Sequence, residues 1–287
     1  MDKKSIGHKI LYSPVTRILT GLIICAGIVV AAQLTLEQLF KSTAIDKDFR
    51  NLIGGIIMSV LVLTGYSLLF RVYEKRKIRE LWGTGIVRNI TTGILLGSIL
   101  LSLTIFVMYL FNGFTVISVN PFLFIVPSLT MAITSAIIEE TLFRGIVFRI
   151  TEEKLGSYPA LLISALIFGA MHLANPNSSL TMALGLAVQA GLLLGAAYIY
   201  SGSLWLPIAI HFGWNFTQGG IFGANVSGNT ISKSLLDSRI EGAHWLTGGE
   251  FGPEGSVQAT VFCLVATIIL LILSHKQNKI TGPFRTK

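Results

Sequence analysis

Five ionisable side chains and one amide interrupt stretches that are otherwise apolar: Glu139, Glu140, Arg144, His172, His211 and Asn215. Ionisable groups at membrane depth cost about 2.5–3.5 kcal/mol each on insertion scales and mark function by default. A carboxylate and an imidazole can share a water, one taking its proton as the other orients it, which is general-base catalysis. A second imidazole and an amide can stabilise a developing oxyanion. Glu, His, His and Asn therefore make a minimal set for peptide-bond hydrolysis with neither a metal nor a covalent intermediate. Glu140 and Arg144 are four residues apart and share a helix face, so they can neutralise each other. Glu139 is turned away by about 100°, and its own i+3 and i+4 neighbours are Leu142 and Phe143. A lone carboxylate there needs a partner from another helix or a water, which makes Glu139 the better candidate for chemistry. Phe168 stands one turn before His172, and His211 and Asn215 point the same way from one helix.

The elements that must position these groups are membrane helices. The chain has 287 residues, 52% hydrophobic and 13% charged, with a mean hydropathy of +0.70. Soluble domains carry roughly 25% charged residues, so the composition argues against a cytosolic enzyme, a disordered chain or a disulfide scaffold. Runs long enough to span a bilayer, about 20 residues, predict an all-α polytopic bundle of about eight transmembrane helices enclosing a polar cavity. The runs are Ile18 to Leu36, Leu52 to Phe70, Ile90 to Phe111, one from Phe122, Pro159 to Leu173, Leu180 to Tyr200, Leu204 to Phe222 and Val257 to Leu273. The first reads as a retained anchor, since it is long for a signal peptide and no clear cleavage site follows. The fourth has two readings. It either stops at Ile138, leaving the glutamates at a helix end, or continues from about Ser128 to Glu153, placing them near mid-depth. In the second reading Asn120 to Pro127 becomes a connection or re-entrant turn, with Pro121 and Pro127 favouring it. The whole chain reads as one membrane domain, with a catalytic core over about 122–222 and an outer loop over about 223–256. That loop is Gly-rich and reads as a flexible cap.

The net charge of +8 sorts by topology. Lys3, Lys4, Lys9 and Arg17 precede the first helix. Arg71, Lys75, Arg76, Lys77, Arg79 and Arg88 follow the second, and Lys276, Lys279, Arg285 and Lys287 follow the last. Eight helices put all three groups on one face, cytoplasmic by the positive-inside rule, with both termini there in the cell membrane. The basic excess then answers to topology and anionic lipid rather than nucleic acid. Cys25 and Cys263 sit in apolar runs without CxxC spacing and read as inert thiols. No cofactor and no metal are expected.

Three segments together resemble the signature of the CAAX protease and bacteriocin-processing family of intramembrane proteases: Glu139-Glu140-Thr-Leu-Phe-Arg144, Phe168-Gly-Ala-Met-His172 and His211-Phe-Gly-Trp-Asn215. The resemblance covers about Met131 to Gly220. It implies a glutamate-type endopeptidase acting on a membrane-associated protein or peptide. Glu139 would be the base, His172 would help activate water, and His211 and Asn215 would be oxyanion donors. Glu140 and Arg144 would be supporting residues. Two other readings stay open. A zinc protease would draw ligands from His172, His211 and Glu139 or Glu140, although HExxH spacing is absent. A non-enzymatic protein, either a peptide-binding immunity protein or a proton-coupled transporter, would use the same groups as a relay.

Overall fold

Backbone polar groups in lipid must be satisfied within their own segment, and the apolar runs accordingly close into helices. The structure is a computed structural model that describes residues 6–283, so Lys3, Lys4, Arg285 and Lys287 lie outside the described residues. In chain order the elements are α1 (Ile6–Leu11), α2 (Pro14–Phe40), α3 (Lys47–Tyr73), α4 (Arg79–Trp82), α5 (Ile86–Leu110) and β1 (Phe114–Val119). They continue with α6 (Phe122–Leu155), α7 (Ser157–Ala174), α8 (Leu180–Ser201), α9 (Trp205–Asn215, continued by a π turn Phe216–Ile221), β2 (Leu236–Ile240), α10 (His244–Thr247) and α11 (Val257–Lys276). Among the described residues, seven helices are long and apolar enough to cross a membrane, and α9 with its π turn is the eighth apolar segment. The ends are set locally. The side chain of Ser13 caps α2 ahead of Pro14, Asp46 caps α3 and Ser256 caps α11, each accepting from an otherwise unpaired N–H.

The fourth apolar run does not stop at Ile138. One helical segment extends from Phe122 to Leu155, and Glu139 and Glu140 fall near its middle. A π turn spans Thr141–Phe148, directly after the glutamates. π turns inside α-helices are frequent at functional sites.

Glycine sets the closest helix contact. Gly93 and Gly97 of α5 face α9, and a Cβ on Gly97 would collide with the Ile210 carbonyl oxygen. Gly213 returns the contact, where a Cβ would stand 2.5 Å from the Ile94 carbonyl oxygen. Small residues of this kind let membrane helices approach backbone to backbone. The buried core lies between α5, α8, α9 and α11 around Leu101, Met108, Leu194, Ile210 and Cys263. A second buried cluster joins α2, α3, α6 and α8 through Cys25, Tyr66, Phe70, Phe148 and Tyr198.

The two ends of the bundle differ. At one end Arg17 meets Glu74 at 2.7 Å, Leu204 N donates to the Glu80 carbonyl oxygen, Lys279 donates to the Tyr200 carbonyl oxygen and Ser157 N donates to Thr281 O. The loop after α3, the start of α2 and the C-terminal tail therefore share that end. At the other end β1 pairs antiparallel with β2, Phe114 opposite Ile240. This two-stranded sheet was not anticipated from the sequence, because the short segments carry no strong alternation. It ties down the 223–256 loop. Gly228 N donates to Phe251 O, and Asn175 and Asn177 donate to the Ser227 and Gly228 carbonyls. The loop folds onto the bundle instead of projecting from it as a free cap.

Candidate active site

The middle of α6 supplies Glu139, Glu140 and Arg144, the end of α7 supplies His172, and α9 supplies His211 and Asn215. Phe168 is the apolar hub between them, 1% exposed. The Arg144 guanidinium lies over its ring at 4.8 Å, the His172 ring centroid is 4.6 Å away, and the His211 and Phe143 rings meet it edge-on.

Two carboxylate–imidazole pairs result, and they differ in kind. Glu140 and Arg144 are both fully buried, 2.8 Å apart. The same Glu140 Oε1 is 3.1 Å from His211 Nδ1. Arg144 also donates to the Ala190 and Gly191 carbonyl oxygens at 2.9 and 3.0 Å, which the π turn Ala187–Leu192 of α8 presents. This is a structural ion pair built on one carboxylate oxygen, since a buried charge is tolerated only when paired, while Glu140 Oε2 and Arg144 Nε have no hydrogen bond among the described residues. Glu139 is different. Its side chain is 27% exposed, and its Oε2 stands 3.9 Å from His172 Nε2 with no hydrogen bond of its own. His172 Nδ1 is 2.8 Å from the Phe168 carbonyl oxygen. A carbonyl only accepts, so Nδ1 carries the hydrogen of this contact, and Nε2 is the ring nitrogen that faces Glu139.

A small cavity is lined by His172, His211 and Asn215 together with Phe168, Trp214 and apolar side chains of α8. Glu139 is not in its lining. His172 connects the two, with its ring on the cavity wall and its Nε2 toward Glu139. Asn215 Nδ2 donates one hydrogen to Ser135 Oγ at 3.2 Å, leaving its second for the cavity. Trp214 serves both in the core and in the cavity wall.

The outer loop adds two wall residues that sequence reasoning missed, Ser227 and Glu254, and α8 adds Gln189. Glu254 is 3% exposed and accepts the Ser227 backbone N–H. Burial pushes its carboxyl above the ordinary range, against the opposing pull of Ser227 and His172. The available signal was weak: an acid between Pro and Gly, just before an apolar helix, reads as a surface or N-terminal charge.

A clamp of charges holds the far half of α6. Arg149 bonds Glu74 at 2.9 Å and Glu153 at 2.8 Å, Arg76 bonds Glu80 at 2.6 Å, and the Tyr66 hydroxyl donates to Glu80 and to the Gly145 carbonyl oxygen at 3.0 Å. Burial alone would raise the Glu80 carboxyl, but Arg76 and Tyr66 outweigh it and hold it below the ordinary range. Glu74 is held down likewise, by Arg149 and Arg17 against its burial. Among the described residues no group of three or more His, Cys, Asp or Glu side chains is gathered as a metal site requires.

Fold and site together define a multi-pass membrane protein with a buried carboxylate–imidazole site. Residues 119–217 match the model of a family described as type II CAAX prenyl endopeptidase Rce1-like. This match is about a third of the chain and spans all three motifs. It supports the chain's membership of the CAAX protease and bacteriocin-processing family, and it indicates a protease. Comparison with curated proteins and with solved structures gave no significant match.

Proposed function

We propose that the chain is an intramembrane endopeptidase of CAAX-protease type that hydrolyses a membrane-associated peptide or protein by a glutamate-activated water. The observation that carries this reading is the Glu139–His172 pair, 3.9 Å apart with Glu139 Oε2 otherwise unbonded. Hydrogen bonds of about 2.8 Å from one water to both atoms make a triangle with an angle of roughly 90° at the water oxygen. The water donates to the Glu139 carboxylate and to the His172 Nε2 lone pair, which leaves an oxygen lone pair for the carbonyl carbon. As the C–O bond forms, Glu139 takes the water proton and the carbonyl electrons move to its oxygen. Asn215 Nδ2 and His211 Nε2 are the donors for that oxyanion. When the C–N bond breaks, Glu139 returns the proton to the departing nitrogen, and the products are a carboxylic acid and an amine.

Glu140 and Arg144 act on His211. Glu140 is ionised against Arg144 and only accepts, so His211 Nδ1 must carry a hydrogen. Nε2 then donates to an oxyanion from the doubly protonated ring. The end of the bundle that gathers Arg17, Arg76, Arg149 and Lys279 is the cytoplasmic one in this reading, with both termini there. The test is cleavage of a membrane-anchored reporter peptide by Glu139→Ala protein in liposomes. Loss of cleavage with normal accumulation is expected, and full activity would contradict the reading. The metal reading would instead require stoichiometric zinc in purified protein that leaves together with activity.

A further inference from the structure

The hydrolytic scheme leaves part of the cavity wall unused. Gln189 is 2% exposed and lines the cavity. Its Nε2 donates to the Glu254 carbonyl oxygen at 2.6 Å and to Thr260 Oγ1 at 2.8 Å. An amide nitrogen has two hydrogens, and both are committed. Exchanging nitrogen and oxygen would set two acceptors face to face at the Glu254 carbonyl, so the orientation is fixed by the network. Gln189 Oε1 is thereby a buried acceptor, and among the described residues nothing donates to it. The Glu254 carboxyl lines the same cavity with His172, and it accepts the Ser227 backbone N–H. Arg144, the buried cation nearby, is committed to Glu140 and two backbone carbonyls.

A buried acceptor without a donor, Gln189 Oε1, beside a buried carboxyl points to a ligand that brings donors. Besides the polar groups already named, Leu186, Leu193, Leu194 and Ile210 give the cavity an apolar lining. An ammonium on a methylene stem fits both parts. It offers three N–H donors and the charge that a carboxylate bonds most strongly, and its stem lies on the leucines as long cationic side chains do. A free C-terminal carboxylate in the same place would face Glu254 and be repelled.

We propose that Glu254 and Gln189 form a subsite that recognises a primary ammonium group of the peptide substrate, either a lysine side chain or a free amino terminus. The proposal rests on the peptidase reading for why a peptide enters the cavity, but the subsite is measurable without turnover. The probes are fluorescent peptides anchored by a palmitoylated cysteine near the C-terminus. They are identical except for lysine or norleucine at successive positions, with the amino terminus free or acetylated. Binding to Glu139→Ala protein in liposomes gives the affinities, and cleavage by the unsubstituted protein gives turnover. At one position, or at the amino terminus, the ammonium form binds about tenfold more tightly than its neutral partner, as expected for a charge-assisted hydrogen bond. Adding Glu254→Gln, which keeps an acceptor for the Ser227 N–H, reduces the difference to under about twofold. Which substitution matters, norleucine or acetylation, tells the lysine from the amino terminus.

Equal binding of ammonium and neutral probes at every position overturns the proposal, and so does a preference that survives Glu254→Gln. Were Glu254→Gln protein not to accumulate, the lysine–norleucine comparison on a native loop would still decide. The peptidase reading fails separately, if the unsubstituted protein cleaves the bound probes no faster than Glu139→Ala protein does.

Discussion

His211 Nδ1 lies 3.1 Å from Glu140 Oε1, the same oxygen that Arg144 bonds at 2.8 Å. That single shared oxygen links the structural ion pair of α6 to the side chain that α9 presents to the cavity. The consequences differ for the two carboxylates that stand next to each other in sequence. Glu140 is committed within the protein, while Glu139 is left available.

Arg144→Leu strands Glu140 without its cation in a fully buried site. Breaking a buried pair by removing one partner costs about 3–5 kcal/mol. Thermal unfolding of the detergent-solubilised protein is expected to show this loss. Replacing both Glu140 and Arg144 by Leu recovers stability but not cleavage, because His211 loses the acceptor that fixes its Nδ1 hydrogen.

In the proposed mechanism Asn215→Ala removes one oxyanion donor while the Glu139–His172 pair stays in place. Loss of a single donor of this kind costs about 10²–10³ in kcat. Steady-state kinetics on a reporter peptide should show that drop with KM little changed.

Gly97→Ala tests how the packing of α5 on α9 reaches the site. The added methyl meets the Ile210 carbonyl oxygen and the Trp214 backbone nitrogen, so α9 must move. Overpacking of a tight contact costs about 1–3 kcal/mol, and the same shift carries His211 and Asn215 away from α6. A reduced unfolding temperature together with reduced kcat is expected. Gly27→Ala is the control, since nothing lies within 4 Å of a Cβ there.

Acid should loosen the clamp at the basic end. Glu74 and Glu80 are held below their ordinary range in the folded protein. Their contribution is present above the unfolded carboxylate range and is lost as pH falls through the depressed folded values. Glu254 has the opposite sign. Its carboxyl is raised in the folded state, so its favourable contribution is complete below the unfolded value and disappears as pH rises through the folded one. Unfolding temperatures measured from pH 3 to pH 8 should fall toward acid. Glu80→Gln should flatten that acid limb, and Glu254→Gln should raise stability at neutral pH.

What the sequence made legible follows from how unusual each residue is in its surroundings. Glu139, His172, His211 and Asn215 stood out because lipid-spanning runs rarely carry such groups, and helical spacing alone separated Glu139 from the Glu140–Arg144 pair. The structure resolves the open choice at Ile138 in favour of a helix that runs on to Leu155. Gln189 was invisible because an uncharged amide in an apolar run resembles many packing residues. Glu254 was hidden for a different reason: its Gly-rich loop gives no periodicity, and long-range contacts hold it at the cavity, among them the β1–β2 pairing, the Gly228–Phe251 bond and the hydrogen bonds from Ser227 and Gln189. Arg17 and Arg76 read as orientation charges, and they also prove to be ion-paired to Glu74 and Glu80.

The central claim is that Glu139 is the base. The most direct measurement compares cleavage of one membrane-anchored peptide by the unsubstituted protein and by Glu139→Gln protein reconstituted at equal amounts. The glutamine keeps the size and an acceptor oxygen but cannot take a proton, so kcat should fall by at least about a hundredfold while the peptide still binds. Cleavage by Glu139→Gln protein at the unsubstituted rate would contradict the account.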